Sequence, residues 1–320
     1  MLADPLLQQV RHKHCPICSH DQARLIAQTD RDSIPLDTVI CDACGLIFSL
    51  SIYTPEAMSH FYSTYYRTLF DNKTNDEGSI NDSLHRHYKL KGSYKIRSYI
   101  KPKSTILELG CGGGWALQPY HKAGFSYYGF DYNDDYIEFG KKHYNLNLFV
   151  GGVTEAINKD IKADYLFMNH VLEHTPDPIG FLQSLKPLLN QDAFINISVP
   201  SVNFTWFGGG GTSTRLLDTL QLAHTVLFDD ITLAYVVQKA GFRIVNHIGG
   251  HILLSYSPKD TASIAVTAPQ SRGKFIFNKL NFFEKTPWRT AWIPSSLKHK
   301  AHYFHYGFYP LQTLKKIFML

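Results

Sequence analysis

The stretch Thr105–Trp115, TILELGCGGGW, limits the fold most tightly: a strand-like apolar run passes straight into Gly110, Gly112, Gly113 and Gly114. Glycine accepts positive φ and lets another molecule approach the main chain without meeting a Cβ. Parallel α/β sheets bind their ligands at such places, beyond the carboxyl ends of strands and near the point where strand order reverses.

The pattern downstream fits that setting. TILEL, FSYYGFD, LNLFV, DYLFMNH, AFINISV, FRIVNHI and SIAVT are short runs of strand character. WALQPYHKAG, DYIEFGKKHY, PIGFLQSLKPLL and ITLAYVVQKAG have helical length and lie between most of them. Strands alternating with helices predict an α/β fold, a Rossmann-like doubly wound sheet of seven mainly parallel strands over residues 104–267. The first helix is expected from about Trp115. Residues 200–228, with SVNFTWFGGGGTST, interrupt the alternation and are expected to cap a substrate pocket, the Gly208–Gly211 run moving over it.

Residues 53–103 form a helical connector on the substrate side. Its first helix starts with Thr54 as N-cap and Pro55 at the first helical position. A polar loop over 71–83 precedes a second helix over 85–100, ended by Pro102. Tyr62, Tyr65, Tyr66, Phe204, Trp206 and Phe207 either stack on a substrate ring or pack the lobes together.

Two acids narrow the ligand. Asp131 ends the second strand, 21 residues beyond Gly110, where an acid grips ribose hydroxyls. Glu108 stands just before the glycine turn. It would repel a dinucleotide pyrophosphate and attract an ammonium and a sulfonium, which favours S-adenosylmethionine (SAM) over NAD. Cys111 is read as a small buried filler.

The other four cysteines form two pairs, Cys15-Pro-Ile-Cys18 and Cys41-Asp-Ala-Cys44, 22 residues apart. In a reducing compartment this spacing predicts a tetrahedral structural Zn2+ site within residues 1–52, with no position open for substrate. Between the pairs, Asp21, Asp30, Asp32 and Asp37 outnumber Arg24 and Arg31, a poor surface for phosphates.

Taken in order, Glu108-Leu-Gly110-Cys-Gly112-Gly-Gly114, Gly129-Phe-Asp131 and Asn169-His170-Val-Leu-Glu173-His174-Thr-Pro-Asp-Pro178 resemble the motifs of class I SAM-dependent methyltransferases. The resemblance covers residues 104–266. It implies that Gly110, Gly112 and Gly114 line the methionine part of SAM, that Asp131 binds the ribose, and that Asn169 and His170 lie near the sulfonium. Many relatives carry an acid for adenine after the third strand, whereas this chain reads Val150-Gly-Gly-Val153. Cys15–Tyr66 is similar to the N-terminal zinc element of bacterial methyltransferases acting on nucleotide-linked deoxysugars or surface glycans. The sugar C-methyltransferases among them place a Glu-His pair near LQLAHTVLFDD, which makes His224 the expected base, with Ala223 standing where the carboxylate should be. His174 is the other candidate base, and Glu173 a residue that caps the turn or orients a neighbour.

These readings give a SAM-dependent methyltransferase of a small molecule, first a nucleotide-linked or surface-glycan sugar. The alternatives are a quinone or other lipid-like hydroxyl and a non-catalytic SAM-binding zinc scaffold. Amine methylation of nucleic acid is not expected, because NHVLEH stands where an Asn/Asp-Pro-Pro-aromatic signature would. No apolar run approaches the roughly 18 residues of a membrane span, and MLADPLLQQVRHKH lacks the apolar stretch of a secretory signal, so the expected location is cytoplasmic. Residues 271–320 hold nine Lys/Arg, one acid and 12 aromatic residues. The extension over 268–320 therefore either lies on a membrane surface as a peripheral contact or docks back on the sheet domain.

Overall fold

The computed structural model describes residues 4–66, 99–202 and 219–278, apart from 249, 259–265 and 275, together with 69 and 78. The helix expected over 85–100 and the loop over 71–83 lie almost wholly outside the described residues, as do Phe204, Trp206, Phe207, Gly208–Gly211 and nearly all of the aromatic extension.

The cysteine-bearing N-terminus is built of strands: β1 (Gln9–Arg11), β2 (Ala23–Thr29), β3 (Pro35–Cys41), β4 (Ile47–Ser49) and β5 (Ser51–Tyr53). β2, β3 and β4 pair antiparallel in sequence, and β1 pairs with β5. Ser33 takes φ +63° in the turn between β2 and β3, as short polar residues at hairpin tips do. Helix α1 (Pro55–Thr64) comes next, and the Thr54 hydroxyl accepts the Ala57 N–H at 3.3 Å, so the predicted cap is in place. Its inner face is apolar: Phe61 is fully buried, with its ring 5.3 Å from that of Tyr53.

The second sheet contains β6 (Thr105–Leu109), β7 (Ser126–Asp131), β8 (Leu148–Val150), β9 (Ala163–Asn169), β10 (Leu189–Ser198), β12 (Arg243–Ile248) and β13 (His251–Ser255). Helices α2 (Gln118–Lys122), α3 (Asp134–Tyr144), α4 (Val153–Asn158), α5 (Pro178–Ser184) and α6 (Asp230–Lys239) connect them. The order β12-β13-β10-β9-β6-β7-β8 bears out the doubly wound seven-stranded α/β sheet. The chain winds outward from β6 through β7 to β8, then returns to β9 on the other side of β6. The glycine turn after β6 therefore opens at the point of reversal. Six strands run in one direction, while β13 runs against them, antiparallel to both its neighbours β10 and β12.

Two expectations need correction. The seventh strand is HILLS at 251–255, reached by a tight return from β12, rather than SIAVT, which falls largely outside the described residues. The first helix begins at Gln118 rather than Trp115. Residues 111–117 instead make successive turns, with Gly114 N–H on Cys111 O and Leu117 N–H on Gly114 O.

The two sheets are tied together by the chain that leaves the interrupted region. β11 (Val226–Leu227) adds to β4 as the fourth strand of the N-terminal sheet. Buried Cys15, Cys44, Phe48, Leu166, Ile195 and Val236 belong to one continuous core. Farther on, Arg272 pairs with Asp229 and donates from Nη1 to Cys44 O at 3.2 Å. Asp229 also caps α6, accepting the Thr232 N–H at 2.8 Å. Asp229→Ala removes a cap worth about 1 kcal/mol and leaves a largely buried guanidinium without its carboxylate. We expect a loss of about 3 kcal/mol in urea unfolding, with Asp229→Asn keeping the cap and losing less.

Candidate active site

The glycine turn owes its shape to the side chains packed over it. Gly110, Gly112 and Gly114 all have positive φ, at +73°, +51° and +77°. A Cβ on Gly112 would stand 2.5 Å from the Trp115 ring, and one on Gly110 would stand 2.5 Å from the Val171 side chain. Backbone and space both demand glycine here. Asp131 crosses from the neighbouring strand and fixes the turn, accepting the Gly112 N–H at 2.7 Å and the Asn133 N–H at 2.9 Å.

Glu108 is buried, and among the described residues its Oε2 has no hydrogen-bond partner. Burial and the nearby Asp131 charge push its carboxyl well above the usual range. Burial also raises Asp131, against the N–H groups that favour its ionised form. A buried and a half-buried carboxyl group, with no cation beside them among the described residues and next to a bare-backbone cradle, fit a ligand that brings positive charge and hydroxyls.

A second cluster sits where β9 ends. His170 takes φ +56° and donates its N–H to Ser198 O. A 3₁₀ turn then carries Leu172–His174. Glu173 is fully buried: Oε1 meets His170 Nδ1 at 3.1 Å, and Oε2 has no partner among the described residues. Burial favours its neutral form, but the His170 hydrogen bond and the surrounding histidines outweigh that and hold it at about 2. The His170 ring faces outward with 57% of its side chain exposed; what burial it has lowers its pKa, and Glu173 more than restores it.

His174 Nδ1 lies 2.8 Å from Ala223 O. A carbonyl can only accept, so Nδ1 carries the proton and, in the neutral ring, Nε2 bears the lone pair. The rings of Tyr62 and Tyr66 stand edge-on to His174 at 5.7 and 6.1 Å, and His224 lies 5.0 Å away. Burial lowers the pKa of His174. Burial, and then the His174 charge, lowers His224 further, to about 3. One ligand-type atom each of Glu173, His174 and His224 lies within 4.8 Å of the others. Such a group can share a proton or a divalent cation.

The four cysteines predicted to bind metal converge. Their Sγ atoms lie within 4.8 Å of one another, with Cys15–Cys44 and Cys18–Cys41 both at 3.6 Å. Thiolates around tetrahedral zinc stand about 3.8 Å apart. All four are free thiols, and Gly45 N–H on Cys41 O and Ser19 N–H on Cys15 O close the turns that aim them. The donor set fits zinc.

The sequence candidates thus fall into three groups: Glu108, the three glycines and Asp131 at the turn; Asn169 and His170 at the end of β9, joined to Glu173, His174 and His224; and the cysteines some way off. Cys111 is buried beside Gly129, and burial pushes its thiol up, away from reactivity. Tyr65 faces away, its hydroxyl donating to Asp4 at 2.7 Å. Sequence reasoning missed Gln221, whose amide contacts His224 Nε2, and the Ala223 carbonyl. A backbone oxygen leaves no trace in a residue pattern.

Residues 83–247 match the family model described as "Methyltransferase domain". Among curated proteins, the chain is 29% identical over 116 residues to a ubiquinone biosynthesis O-methyltransferase of Actinobacillus pleuropneumoniae, covering 31% of this chain and 50% of that protein. It is 30% identical over 111 residues to the protein of that name in Pelagibacter ubique, covering 33% and 46%. The chain spans about half the length of these relatives. Among solved structures, an O-methyltransferase family protein of Burkholderia thailandensis is similar at TM-score 0.46 and 16% identity, over 61% of this chain and 62% of that one.

The half-buried histidines fix the sign of a pH effect. His224 falls from an ordinary 6.5 to about 3 on folding, so the unfolded chain binds the extra proton between those values. Stability is complete above about 6.5 and drains as pH falls toward about 3. Thermal melts by circular dichroism should show the midpoint falling over that window, and falling less in His224→Gln.

Proposed function

This chain belongs to the methyltransferase domain family, and we propose that it moves a methyl group from SAM to an oxygen of a small-molecule acceptor. The observation that carries this reading is His174: its Nδ1–H is committed to the Ala223 carbonyl, which leaves the lone pair of the neutral ring on Nε2, and it adjoins a buried carboxylate at the end of the central strand. Glu108 and Asp131 take the cationic and ribose parts of SAM, and Gly110, Gly112 and Gly114 let the methionine part approach the main chain. Asn169 and His170 border the methyl group. Bound SAM supplies a methyl already activated as a sulfonium, so the protein's task is chiefly positioning.

His174 Nε2 takes the acceptor's hydroxyl proton as the oxygen attacks the methyl carbon in line and the carbon–sulfur bond breaks. Glu173 stabilises the imidazolium that forms. His224 is held neutral by burial, and we assign it to the wall of the site rather than to the base. Tyr62 and Tyr66 give the acceptor a flat aromatic border. An aromatic hydroxyl suits that border, and the names of the matched relatives favour it. A sugar hydroxyl is the second reading, favoured by the cysteine-bearing sheet that supplies part of the same wall. The four cysteines hold one structural Zn2+.

The tests separate these parts. Calorimetry with S-adenosylhomocysteine should show saturable binding that is lost in Asp131→Ala; its absence in the wild type refutes the reading. Labelled SAM offered with catechol, a nucleoside-diphosphate sugar or RNA should label catechol, and binding without label in any pool would point to a SAM-sensing scaffold. His174→Gln should lower kcat about a hundredfold with affinity for S-adenosylhomocysteine kept. Since the base acts unprotonated and its pKa lies below 6.5, the acid limb of kcat/KM should fall below that value. The same loss in His170→Gln instead of His174→Gln would move the base to His170. Turnover that survives a chelator rules out a divalent cation at the histidines. Elemental analysis should give about one zinc per chain, greatly reduced in Cys41→Ser.

A further inference from the structure

One buried side chain of the N-terminal sheet, Asp30, bonds to the segment that borders the active site. Asp30 is 2% exposed at the tip of the β2–β3 hairpin. Its Oδ1 accepts the N–H groups of Asp32 and Ile34, both at 2.9 Å, which completes the turn. The turn does not use Oδ2. That oxygen accepts the Leu222 N–H at 3.2 Å, across 192 residues of sequence. A second bond runs alongside, from Arg31 N–H to Leu220 O at 3.0 Å.

The residue after Leu222 supplies the carbonyl that holds His174. Ala223 is fully buried and Leu222 nearly so, packed with Leu36, Tyr53 and Phe61. Two residues on, Thr225 donates its N–H to Glu173 O at 2.9 Å, while Ser49 of β4 donates to Thr225 O and His224 O. Residues 222–225 thus lie between the hairpin and the turn bearing Glu173 and His174. Among the hairpin's side chains, that of Asp30 bonds directly to the main chain of this stretch.

We propose that Asp30 is a positioning residue: its Oδ2 fixes the Leu222 peptide, and through it the Ala223 carbonyl that sets the tautomer and direction of His174. This rests on His174 being the base. A carboxylate accepting a main-chain N–H makes a stronger bond than a neutral group, and a base displaced by an ångström loses much of its rate. The N-terminal sheet is on this account part of the catalytic apparatus.

Asp30→Asn separates the two jobs of the side chain. Its amide oxygen can still serve Asp32 and Ile34, but its NH2 then faces the Leu222 N–H, donor against donor. Asp30→Ser keeps a turn acceptor, lacks a second oxygen, and stands in if the asparagine variant is unstable. The decisive reading is 15N NMR of histidine-labelled protein, with the His174 signal identified by its loss in His174→Gln. The wild type should show protonated Nδ1 and bare Nε2, and Asp30→Asn a mixture of both tautomers. With catechol as acceptor, kcat in Asp30→Asn should fall at least about tenfold. KM for SAM and zinc content should stay within about twofold. Asp30→Asn/His174→Gln should be no slower than His174→Gln alone. An unchanged His174 tautomer, or losses that multiply in the double variant, overturns the proposal. Full turnover in His174→Gln instead overturns the base reading, whatever the tautomer does.

Discussion

Main-chain hydrogen bonding along residues 220–228 holds the molecule together. Buried peptide groups have to find partners, and these find them on two sides. The Leu220 carbonyl, the Leu222 N–H and the Thr225 carbonyl go to the N-terminal sheet, and β11 extends that sheet. The Ala223 carbonyl and the Thr225 N–H go to the turn after β9. The stretch can be satisfied only when both neighbours are present. The site between them is therefore set by the docking of two sheets rather than by either one.

The acids of the site occupy two opposite environments. Glu108 and Asp131 lie near each other without a cation among the described residues, and burial raises both. Glu173 is as deeply buried, yet its histidine neighbours hold it ionised. The first pair can be relieved by a cationic ligand, whereas the second group can exchange a proton at little cost. Environments that push like groups apart are how one site handles charge capture and proton transfer side by side.

Most of the α/β sheet was legible in the sequence because its signals are local. Alternating apolar runs, the Gly110–Gly114 bend and Asp131 one strand over depend on neighbours close in the chain, as does the Thr54 cap. The cysteine pairs were equally plain, since a ligand must stand at fixed spacing. Tertiary placement was not legible. SIAVT has as strong a strand pattern as HILLS, and only the tight return after Ile248 decides for the second. Trp115 looked like a helix start because the glycines before it suggest one, yet its ring folds back over Gly112. The strands around the cysteines were missed because they are irregular, with register shifts between β2 and β3. The clustering of His174 with His224 depends on a contact across 49 residues made through the Ala223 carbonyl, which no residue type announces.

The ties from Arg272 and Gly273 back to residues 42–44 bear on the order of events at the ribosome. The cysteine-bearing sheet is translated first, but its fourth strand emerges only with Leu227, and the guanidinium that closes over Cys44 only with Arg272. At roughly 5–20 residues per second, that is a wait on the order of 10 s or more. During that time the exposed edge of β4 and the four thiols stand open to the cell. A metal ion captured early by these thiols would hold the nascent hairpins until the rest of the chain arrives.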